Sequence, residues 1–349
     1  MKNKNQKPLI TTIIPTYRRP KLLRRAIKSV LNQTYPHLQV CVYDNASGDE
    51  TAEVVAEFAE NDFRVKYYCQ PDNIGSLKNF NYGMEHVDTP FFSFLSDDDI
   101  LLPELYRILM DGFKKYPEAF FSVASTAYMD YGGDLLSPFV SNWREGLYEP
   151  PEGVIEILKR GNMVWTGILF RKEIIKKIGI LDEKVGMACD LDFVLQGAAR
   201  FPFIVSPKSG AILFIDHLSG NEARRFNFTW PGWLKMIRNI TEIEQIPSNI
   251  RIEIEQILTE QLKKRLFQIG IASIIRKNFD DTYQAASVLN SRYHWKIRAF
   301  LLFVSAKVCQ YFPLAYRCIL FLDKSRRNWR KRKLRHLQEE YGKYIQSIG

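Results

Sequence analysis

Residues 90–103 read PFFSFLSDDDILLP, an aromatic and aliphatic run that ends in three aspartates and then becomes apolar again. Adjacent carboxylates repel one another, and some of them take up protons unless a cation neutralises the charge. Mg²⁺ and Mn²⁺ prefer oxygen ligands, so the stretch is typical of a strand that delivers carboxylates to a cation or a sugar. A solvated turn before a helix is the other interpretation, because aspartate is favourable near a helix N-terminus.

The same arrangement, a short apolar strand followed by polar residues, recurs along the first half of the chain. Predicted strands at 9–15, 39–45, 65–70 and 90–96 alternate with predicted helices at 20–33, 49–61 and 76–87. This alternation predicts an α/β fold with a mostly parallel sheet and flanking helices, and with functional residues at the carboxyl ends of strands. Strand and helix patterns resume at 166–217, and after about residue 225 the pattern is helical.

Composition and charge describe a globular chain with a local basic segment. The 349 residues are 46% hydrophobic and 25% charged, which is ordinary for a folded protein. The net charge is +10, yet residues 324–335 alone hold eight Lys or Arg and no acid. This segment therefore predicts contact with an anionic partner. The five cysteines show no C-x-x-C pair, so we expect reduced thiols, and the N-terminus lacks the length and cleavage site of a secretory signal.

Residues 299–322 are long enough to cross a membrane but are not apolar enough. Lys307 and Arg317 each cost about 2.5–3.5 kcal/mol near a helix centre, while the Leu, Ile, Phe and Val residues recover roughly 5 kcal/mol. We therefore predict one or two interfacial amphipathic helices followed by a polybasic segment, on an anionic membrane surface. Core helices with a solvated basic tail are the alternative. The first interpretation predicts a cytoplasmic protein that is peripheral on the inner face of the plasma membrane.

Five fragments, in this order, carry a resemblance to a known family: TTIIPTYRRP, VYDNASGDET, DNIGSLKNFNYG, FLSDDDILLP and CDLDF. Together they resemble the glycosyltransferases of family 2, over roughly residues 8–225. The resemblance implies a GT-A (Rossmann-like) fold and an inverting transfer of a hexose or deoxyhexose from a UDP- or dTDP-linked donor. It implies a lipid-linked or polysaccharide acceptor in cell-surface glycan synthesis, and Mn²⁺ or Mg²⁺ as cofactor. We expect a GT-A domain at 1–225, a helical extension at 226–296 and a membrane-proximal segment at 297–349.

The resemblance also implies which residues hold the nucleotide sugar. These are Pro15, Thr16, Tyr17, Arg19, Asp44, Asn45, Asn73, Gly75, Lys78 and Asp97. Asp44 would accept a hydrogen bond from the base, on which Tyr17 could stack, although an aspartate of a plain turn is the alternative. The family often has an arginine where this chain has Phe80. Lys78 is a candidate substitute, or else a solvated lysine.

The three aspartates correspond to the family's D-x-D metal site. Counting back from Pro103, the two family aspartates fall on Ser96 and Asp98, so the pattern has slid or changed. Asp98 is the predicted metal ligand and Asp97 the predicted ribose ligand. Asp99 completes the predicted metal site from behind, or belongs to the first turn of the next helix. His217 matches a histidine that could reach the metal or the diphosphate, although a lone histidine is often structural.

CDLDF implies the catalytic base. Asp190 falls on the family's general base, while Cys189 replaces a glutamate that usually precedes it. Asp192, two residues on, could raise the pKa of Asp190, and an N-cap role for Asp190 is the alternative. The acceptor-binding residues implied here are Trp165, Thr166 and Asp192, although a buried tryptophan is equally compatible with the pattern.

Two further interpretations stay open. The departures at Ser96, Phe80 and Cys189 leave room for a non-catalytic relative that only binds sugar nucleotides. The segment RRNWRKRK, with an aromatic residue among cations, would suit a nucleic-acid-binding protein. We expect no nucleic-acid partner, because the positive charge is confined to one end and no recognition motif accompanies it. The oligomeric state is not predicted.

Overall fold

We determined the fold from a computed structural model of the chain. It describes residues 9–131, 135–137, 143–161, 163–215, 226–314, 316–321, 325 and 342–347. The chain divides into two compact units. The first contains the described residues up to 183, together with 189–215 and 342–347, and the second contains 184–188 and the described residues from 226 to 325.

The first unit is built around a sheet of ten strands with helices between them. The strands are β1 (Ile10–Thr16), β2 (Leu38–Asp44), β3 (Val65–Cys69), β4 (Phe91–Phe94), β5 (Ile100–Leu101), β6 (Phe121–Asp130), β7 (Leu135–Ser137), β8 (Gly146–Tyr148), β9 (Ile168–Arg171) and β10 (Phe203–Ile215). The helices are α1 (Pro20–Leu31), α2 (Thr51–Asn61), α3 (Ser76–Glu85), α4 (Leu105–Lys115), α5 (Glu152–Arg160), α6 (Glu173–Ile178) and α7 (Cys189–Ala198). A short 3₁₀ turn lies at Trp165–Gly167 in this unit, and another at Gly186–Ala188 belongs to the second unit.

The sheet begins as a parallel α/β sheet and continues as a mixed one. Its order is β3-β2-β1-β4-β9-β6-β10-β5, with β7 on β6 and β8 on β10. The first four strands in this order are parallel, as the alternation of strands and helices predicts. Next to them β9 runs antiparallel to both β4 and β6, while β6 and β10 are parallel. The predicted α/β class is therefore confirmed, with a larger antiparallel share than the sequence pattern indicates.

Burial on both faces explains the apolar runs in the central strands. Every residue of β1 and β2 is buried, because helices cover both sides of this part of the sheet. Helix α3 approaches closely through Gly83. A Cβ atom there would lie 2.6 Å from Ile13 Cγ2 and 3.0 Å from the Tyr43 ring. The same packing holds α3 against β1 and β2.

The second unit is helical, as the sequence predicts for the chain after residue 225. Its helices are α8 (Phe226–Thr241), α9 (Ser248–Ile275), α10 (Phe279–Ser291) and α11 (Lys296–Tyr311). Helix α9 buries one residue per turn along the stripe Ile254, Leu258, Leu262 and Leu266. Residues 297–311, predicted as part of a separate membrane-proximal segment, lie in α11 and pack on α9 and α10. No described helix has both the length and the apolar character to cross a bilayer.

Candidate active site

Three parallel strands bring polar residues together at their carboxyl ends. Thr16 ends β1, Asp44 ends β2, and Asp97 follows β4. The Thr16 hydroxyl donates to Asp97 Oδ2 at 2.8 Å, and the Asn45 N–H donates to the Thr16 carbonyl at 3.0 Å. The sequence-predicted residues after β1, β2 and β4 therefore share one edge of the sheet, because parallel strands align their ends.

The three consecutive aspartates have three different environments. Asp97 is buried, the Asp98 side chain is 17% exposed, and Asp99 is buried. Burial, followed by repulsion from Asp98, raises the pKa of Asp97 to about 6. Burial, again followed by Asp98, raises the pKa of Asp99 well above its usual range. Among the three, Asp98 is the carboxylate best placed to meet a ligand.

Asp99 connects distant parts of the sheet. Its Oδ1 accepts the N–H of Phe214 in β10 at 2.9 Å, and its Oδ2 accepts the Thr166 hydroxyl at 2.8 Å. Both oxygens thus have partners inside the protein. The geometry differs from the predicted metal-ligand role of Asp99, and from the predicted acceptor role of Thr166, because the two side chains bond each other in the interior.

The guanidinium of Arg19 lies against the acidic residues. Its Nη1 donates to Asp97 Oδ1 at 3.2 Å and to Asp98 Oδ2 at 3.0 Å, while 45% of its side chain stays exposed. Burial lowers the pKa of Arg19, but attraction to the two aspartates outweighs this and the net pKa is raised. Arg19, predicted as a nucleotide-sugar ligand, is thus the cation that balances this acidic edge.

The end of β2 forms the second part of the site. Asp44 Oδ1 accepts the Ser47 N–H and hydroxyl at 3.0 and 2.5 Å, and its Oδ2 accepts the Tyr67 hydroxyl at 2.6 Å. Beside it, Asn45 Nδ2 donates to Asn73 Oδ1 at 2.8 Å, which ties the loop before α3 to the end of β2. Asp44 is therefore held in a fixed orientation by its own neighbours.

The other residues predicted for the nucleotide surround these two strand ends. Tyr17 is 38% exposed, with the guanidinium of Arg18 5.1 Å from its ring centroid, so its ring can meet a ligand. Gly75 has a φ of +86°, which favours glycine at the start of α3. Lys78 is exposed on that helix, whereas Pro15 is buried within β1.

The predicted base lies in the first turn of α7. Asp190 is partly exposed, and its Oδ1 accepts the N–H of Leu191 at 2.7 Å. Asp192 is buried and accepts a hydrogen bond from Gln196 Nε2 at 2.8 Å. Burial, followed by the charges of Asp190 and Asp99, raises the pKa of Tyr128. His217 lies outside the described residues.

Residues 11–179 match the family described as Glycosyl transferase family 2. The match covers just under half of the chain, and it shows what this part of the chain is similar to. This confirms the resemblance drawn from the five sequence fragments, although the match covers the sheet region and not the helical unit.

The chain is similar to two bacterial proteins that are named as a glucosyltransferase and a chondroitin synthase. The chain is 34% identical over 133 residues to the GalNAc(5)-diNAcBac-PP-undecaprenol beta-1,3-glucosyltransferase of Campylobacter jejuni. The aligned residues make up 38% of this chain and 42% of that protein. It is 30% identical over 131 residues to the chondroitin synthase of Escherichia coli, or 37% of this chain and 19% of that one. The chain thus spans less than half the length of these two relatives.

Solved structures with the same fold cover most of the chain. Staphylococcus aureus TarS 1–349 in complex with UDP-GlcNAc aligns with a TM-score of 0.62 and 14% identity, over 87% of this chain and 92% of that one. The mannosyltransferase PcManGT of Pyrobaculum calidifontis, in complex with GDP-Man and Mn²⁺, aligns with a TM-score of 0.53 and 16% identity. This alignment covers 95% of this chain and 87% of that one. At these identities the likeness shows the fold, which confirms the GT-A expectation.

Packing explains one departure from the common family 2 pattern. Phe80, which stands where an arginine is frequent, packs its ring 5.7 Å from Phe94 and 4.6 Å from Trp165. Trp165 also lies 4.8 Å from Phe94, so the indole belongs to an aromatic cluster and is only partly exposed. The predicted stacking of Trp165 on a sugar would use the exposed edge of this cluster.

The donor set at Asp98 fits a cation of one particular kind. Among the described residues, no group of three or more His, Cys, Asp or Glu is placed to hold a metal. Mg²⁺ in nucleotide sites is usually held by one or two carboxylates, with substrate phosphates completing its shell. The partly exposed Asp98 fits an ion of this kind, whose other ligands come from a diphosphate.

Sequence reasoning missed two residues that contact Asp98. Arg25 Nη2 donates to the Asp98 carbonyl at 2.9 Å, with its guanidinium 4.2 Å from the centroid of the Phe214 ring. Burial lowers the pKa of Arg25. The Tyr131 hydroxyl donates to Asp98 Oδ2, and burial followed by this bond raises the pKa of Tyr131. Arg25 lies one turn before the buried Ser29 on α1, and this pair of polar residues on one helix face could have indicated its contact with the site. The sequence around Tyr131 holds no pattern that predicts its contact with Asp98.

Proposed function

We propose that this chain is an inverting glycosyltransferase. It would transfer a hexose or deoxyhexose from a nucleoside-diphosphate sugar to a hydroxyl group of an acceptor. The observation that carries the proposal is the junction of β1 and β4, where Asp98 is partly exposed beside Asp97, Thr16 and Arg19. This junction lies inside the part of the chain that matches family 2.

The donor would bind across the ends of β1 and β2. Tyr17 would stack on the base, and Asp44 and Asn45 would orient the nucleoside, supported by the fixed hydrogen bonds from Ser47 and Tyr67. Asp97 would accept from the ribose once Arg19 turns toward the diphosphate. A UDP- or dTDP-linked donor is our proposal, and UDP-GlcNAc bound to TarS is compatible with the first of these.

Asp98 would hold Mn²⁺ or Mg²⁺ together with the donor's diphosphate, and His217 is proposed as an additional ligand. When bound, the ion supplies Lewis-acid neutralisation of the leaving diphosphate. Arg25 and Tyr131 would fix Asp98 in place through its carbonyl and its Oδ2. Lys78 would add a positive charge beside the phosphates from the exposed side of α3. Asp99 would position the segment rather than contact the ion, since both of its oxygens have partners.

Asp190 would act as the general base. It would accept the proton of the acceptor hydroxyl, whose oxygen then bonds to the anomeric carbon on the face opposite the diphosphate. The bond from that carbon to the diphosphate breaks in the same step, so the anomeric configuration inverts. Trp165 and Asp192 would shape the acceptor pocket near the start of α7, with Asp192 acting through Gln196.

We further propose a lipid-linked or polysaccharide acceptor in cell-surface glycan synthesis. Two supports are the name of the Campylobacter jejuni relative, which specifies an undecaprenol-linked glycan, and that of the chondroitin synthase. Residues 324–335, with eight Lys or Arg, would attract anionic lipids and a pyrophosphate-linked carrier. The chain would thus work as a peripheral protein on the inner face of the plasma membrane.

The test combines a binding screen with two variants. A panel of nucleotide sugars with Mn²⁺ should contain one donor that raises the melting temperature of the protein, because a ligand stabilises the state that it binds. Asp98→Ala should abolish donor turnover. Asp190→Asn should keep donor binding but slow transfer by about 10²–10⁴-fold, as loss of a general base does.

Asp111→Ala is the matched control, since this exposed aspartate of α4 pairs only with Lys114 in the described contacts. It should transfer sugar like the wild type. A panel in which no nucleotide sugar stabilises the protein would refute the enzymatic proposal. Donor binding without hydrolysis or transfer under any condition would instead favour the non-catalytic relative.

A further inference from the structure

Helix α11 carries two apolar faces. One face, formed by Ala299, Leu302, Ala306 and Cys309, is buried. It packs on α9 and α10, and a Cβ atom at Gly270 would lie 2.8 Å from Leu302 Cδ1. The second face is exposed and is also apolar, with spacings of three and four residues. It consists of Ile297, Phe300, Leu301, Val304, Val308 and Tyr311, which are 37–78% exposed.

The exposed row of α11 continues in the residues that follow it. Phe312, Leu314, Leu320 and Phe321 are also 37–75% exposed. Single exposed apolar residues are normal, but a continuous row of large ones marks a surface that meets another apolar phase. The exposed row of α11 and these four residues together are called the α11 face below.

The charge around the α11 face indicates which kind of partner suits it. Residues 296–322 contain Lys296, Arg298, Lys307 and Arg317 and no Asp or Glu, and residues 324–335 add eight more cations. A second copy of the chain, meeting this face through a two-fold axis, would oppose these cations to themselves. An anionic bilayer offers an apolar interior beneath a negative surface and matches both properties.

Aromatic side chains beside the α11 face have the placement found at membrane interfaces. The Arg298 guanidinium lies 4.3 Å from the Trp295 ring centroid, and Lys307 Nζ lies 5.2 Å from that of Tyr283 and 5.8 Å from that of Tyr311. Tryptophan and tyrosine prefer the headgroup level, and long cations reach phosphates while their stems stay on apolar surface. The polar rim of α11 is therefore suited to the headgroup layer.

We propose that α11 lies in the plane of an anionic membrane surface. Its buried face packs on the other helices of the helical unit, while the α11 face inserts at the boundary of headgroups and acyl chains. The inference rests on the proposed function for the lipid-linked acceptor that makes such a position useful. It identifies the inserting residues, and its test requires no activity.

The experiment is flotation of the full chain with two kinds of vesicle, phosphatidylcholine alone and phosphatidylcholine with phosphatidylglycerol. The wild type should float with the anionic vesicles. The double variant Phe300→Glu, Val304→Glu should lose at least about tenfold in partitioning, because it removes apolar area and adds repelled charge. Ile252→Glu is the matched control, since Ile252 is 56% exposed on α9 of the same unit, and it should float like the wild type.

Two further measurements keep the outcomes distinct. The best nucleotide sugar should raise the melting temperature of the double variant by as much as it raises that of the wild type. This separates failure of the membrane inference from failure of the proposed function. Equal flotation of the double variant and the wild type would overturn the inference. So would sedimentation showing a dimer that the same double substitution dissociates, because the α11 face would then belong to a second copy.

Discussion

At the scale of single residues, the acidic edge is balanced from inside by Arg19. Its guanidinium bridges Asp97 and Asp98, where a cation bound with the donor is proposed to lie. Two cations cannot share Asp98 without repulsion, so Arg19 and a divalent ion oppose each other until a diphosphate supplies negative charge for both.

Arg19→Met should therefore tighten the binding of Mn²⁺ by the nucleotide-free protein. Since the Arg19 side chain is 45% exposed and screened by solvent, we expect a gain of about two- to fivefold in affinity, in the range of exposed ion pairs. Isothermal titration calorimetry measures it, with Arg107→Met as the control, because Arg107 forms an exposed pair with Glu104. Weaker Mn²⁺ binding by Arg19→Met would contradict the opposition.

Asp97 should make stability depend on pH in an unusual direction. Its pKa in the folded chain is about 6, above the ordinary value of 3.8. Its contribution is therefore fully favourable below pH 4, and it is lost as pH rises through 6 and the buried carboxyl ionises. With metal chelated, we expect the unfolding free energy of Asp97→Asn to rise relative to that of the wild type as the pH increases. The rise should be about 1–3 kcal/mol between pH 4 and pH 7.

Urea titrations at several pH values test this difference, which cancels the groups common to both proteins. Glu57→Gln is a control in which the stability difference from the wild type should change with pH in the opposite direction, since hydrogen bonding to Arg24 lowers the pKa of Glu57. A difference between Asp97→Asn and wild type that stays constant with pH would show that Asp97 titrates normally.

At the scale of elements, Asp99 joins three of them. It follows β4 in the chain, accepts the Phe214 N–H of β10, and accepts the hydroxyl of Thr166 just before β9. In the sheet β4 lies directly beside β9, and β6 lies between β9 and β10. Asp99 thus closes a link between the parallel part of the sheet and its mixed part.

Asp99→Ala should lower the unfolding free energy by about 2–4 kcal/mol, because a buried N–H and a buried hydroxyl lose their acceptor. Thr166→Val should cost about 1–2 kcal/mol. The double variant should cost less than the sum, since both remove the same bond. Urea unfolding measures all three, and additive losses would count against the link.

The local sequence predicts the elements near the donor site better than those farther along. β1 to β4 follow from buried apolar runs, and Thr16, Asp44 and Asp98 follow from the ends of those runs. β5 is two residues long and pairs with β10, a partner more than a hundred residues away. The antiparallel insertion of β9 and the contact of Tyr131 with Asp98 have the same origin, because partners distant in the chain leave no local pattern.

At the scale of the whole molecule, the two compact units carry separate tasks in our proposals. The sheet unit holds the residues proposed for the donor, and the helical unit holds the α11 face. Family 2 matches only residues 11–179, so the second task is not implied by that match.

Hydrogen–deuterium exchange should separate the two tasks. A bound nucleotide sugar with Mn²⁺ should protect amides near Thr16, Asn45 and Asp98, since a ligand raises the free energy of opening where it binds. Anionic vesicles should protect α11 and leave those amides unchanged. Protection of α11 by the nucleotide sugar alone would show that the two units are coupled.

The chain returns to its sheet unit at residues 342–347. There the hydroxyl of the partly buried Tyr344 donates to the carbonyl of Leu101 in β5 at 3.0 Å. Most of the helical unit is thus inserted in the chain between residues 189–215 and 342–347 of the sheet unit, as domain insertions are. Exchange of this inserted stretch for another module would leave the strands beside the three aspartates with all of their own chain segments.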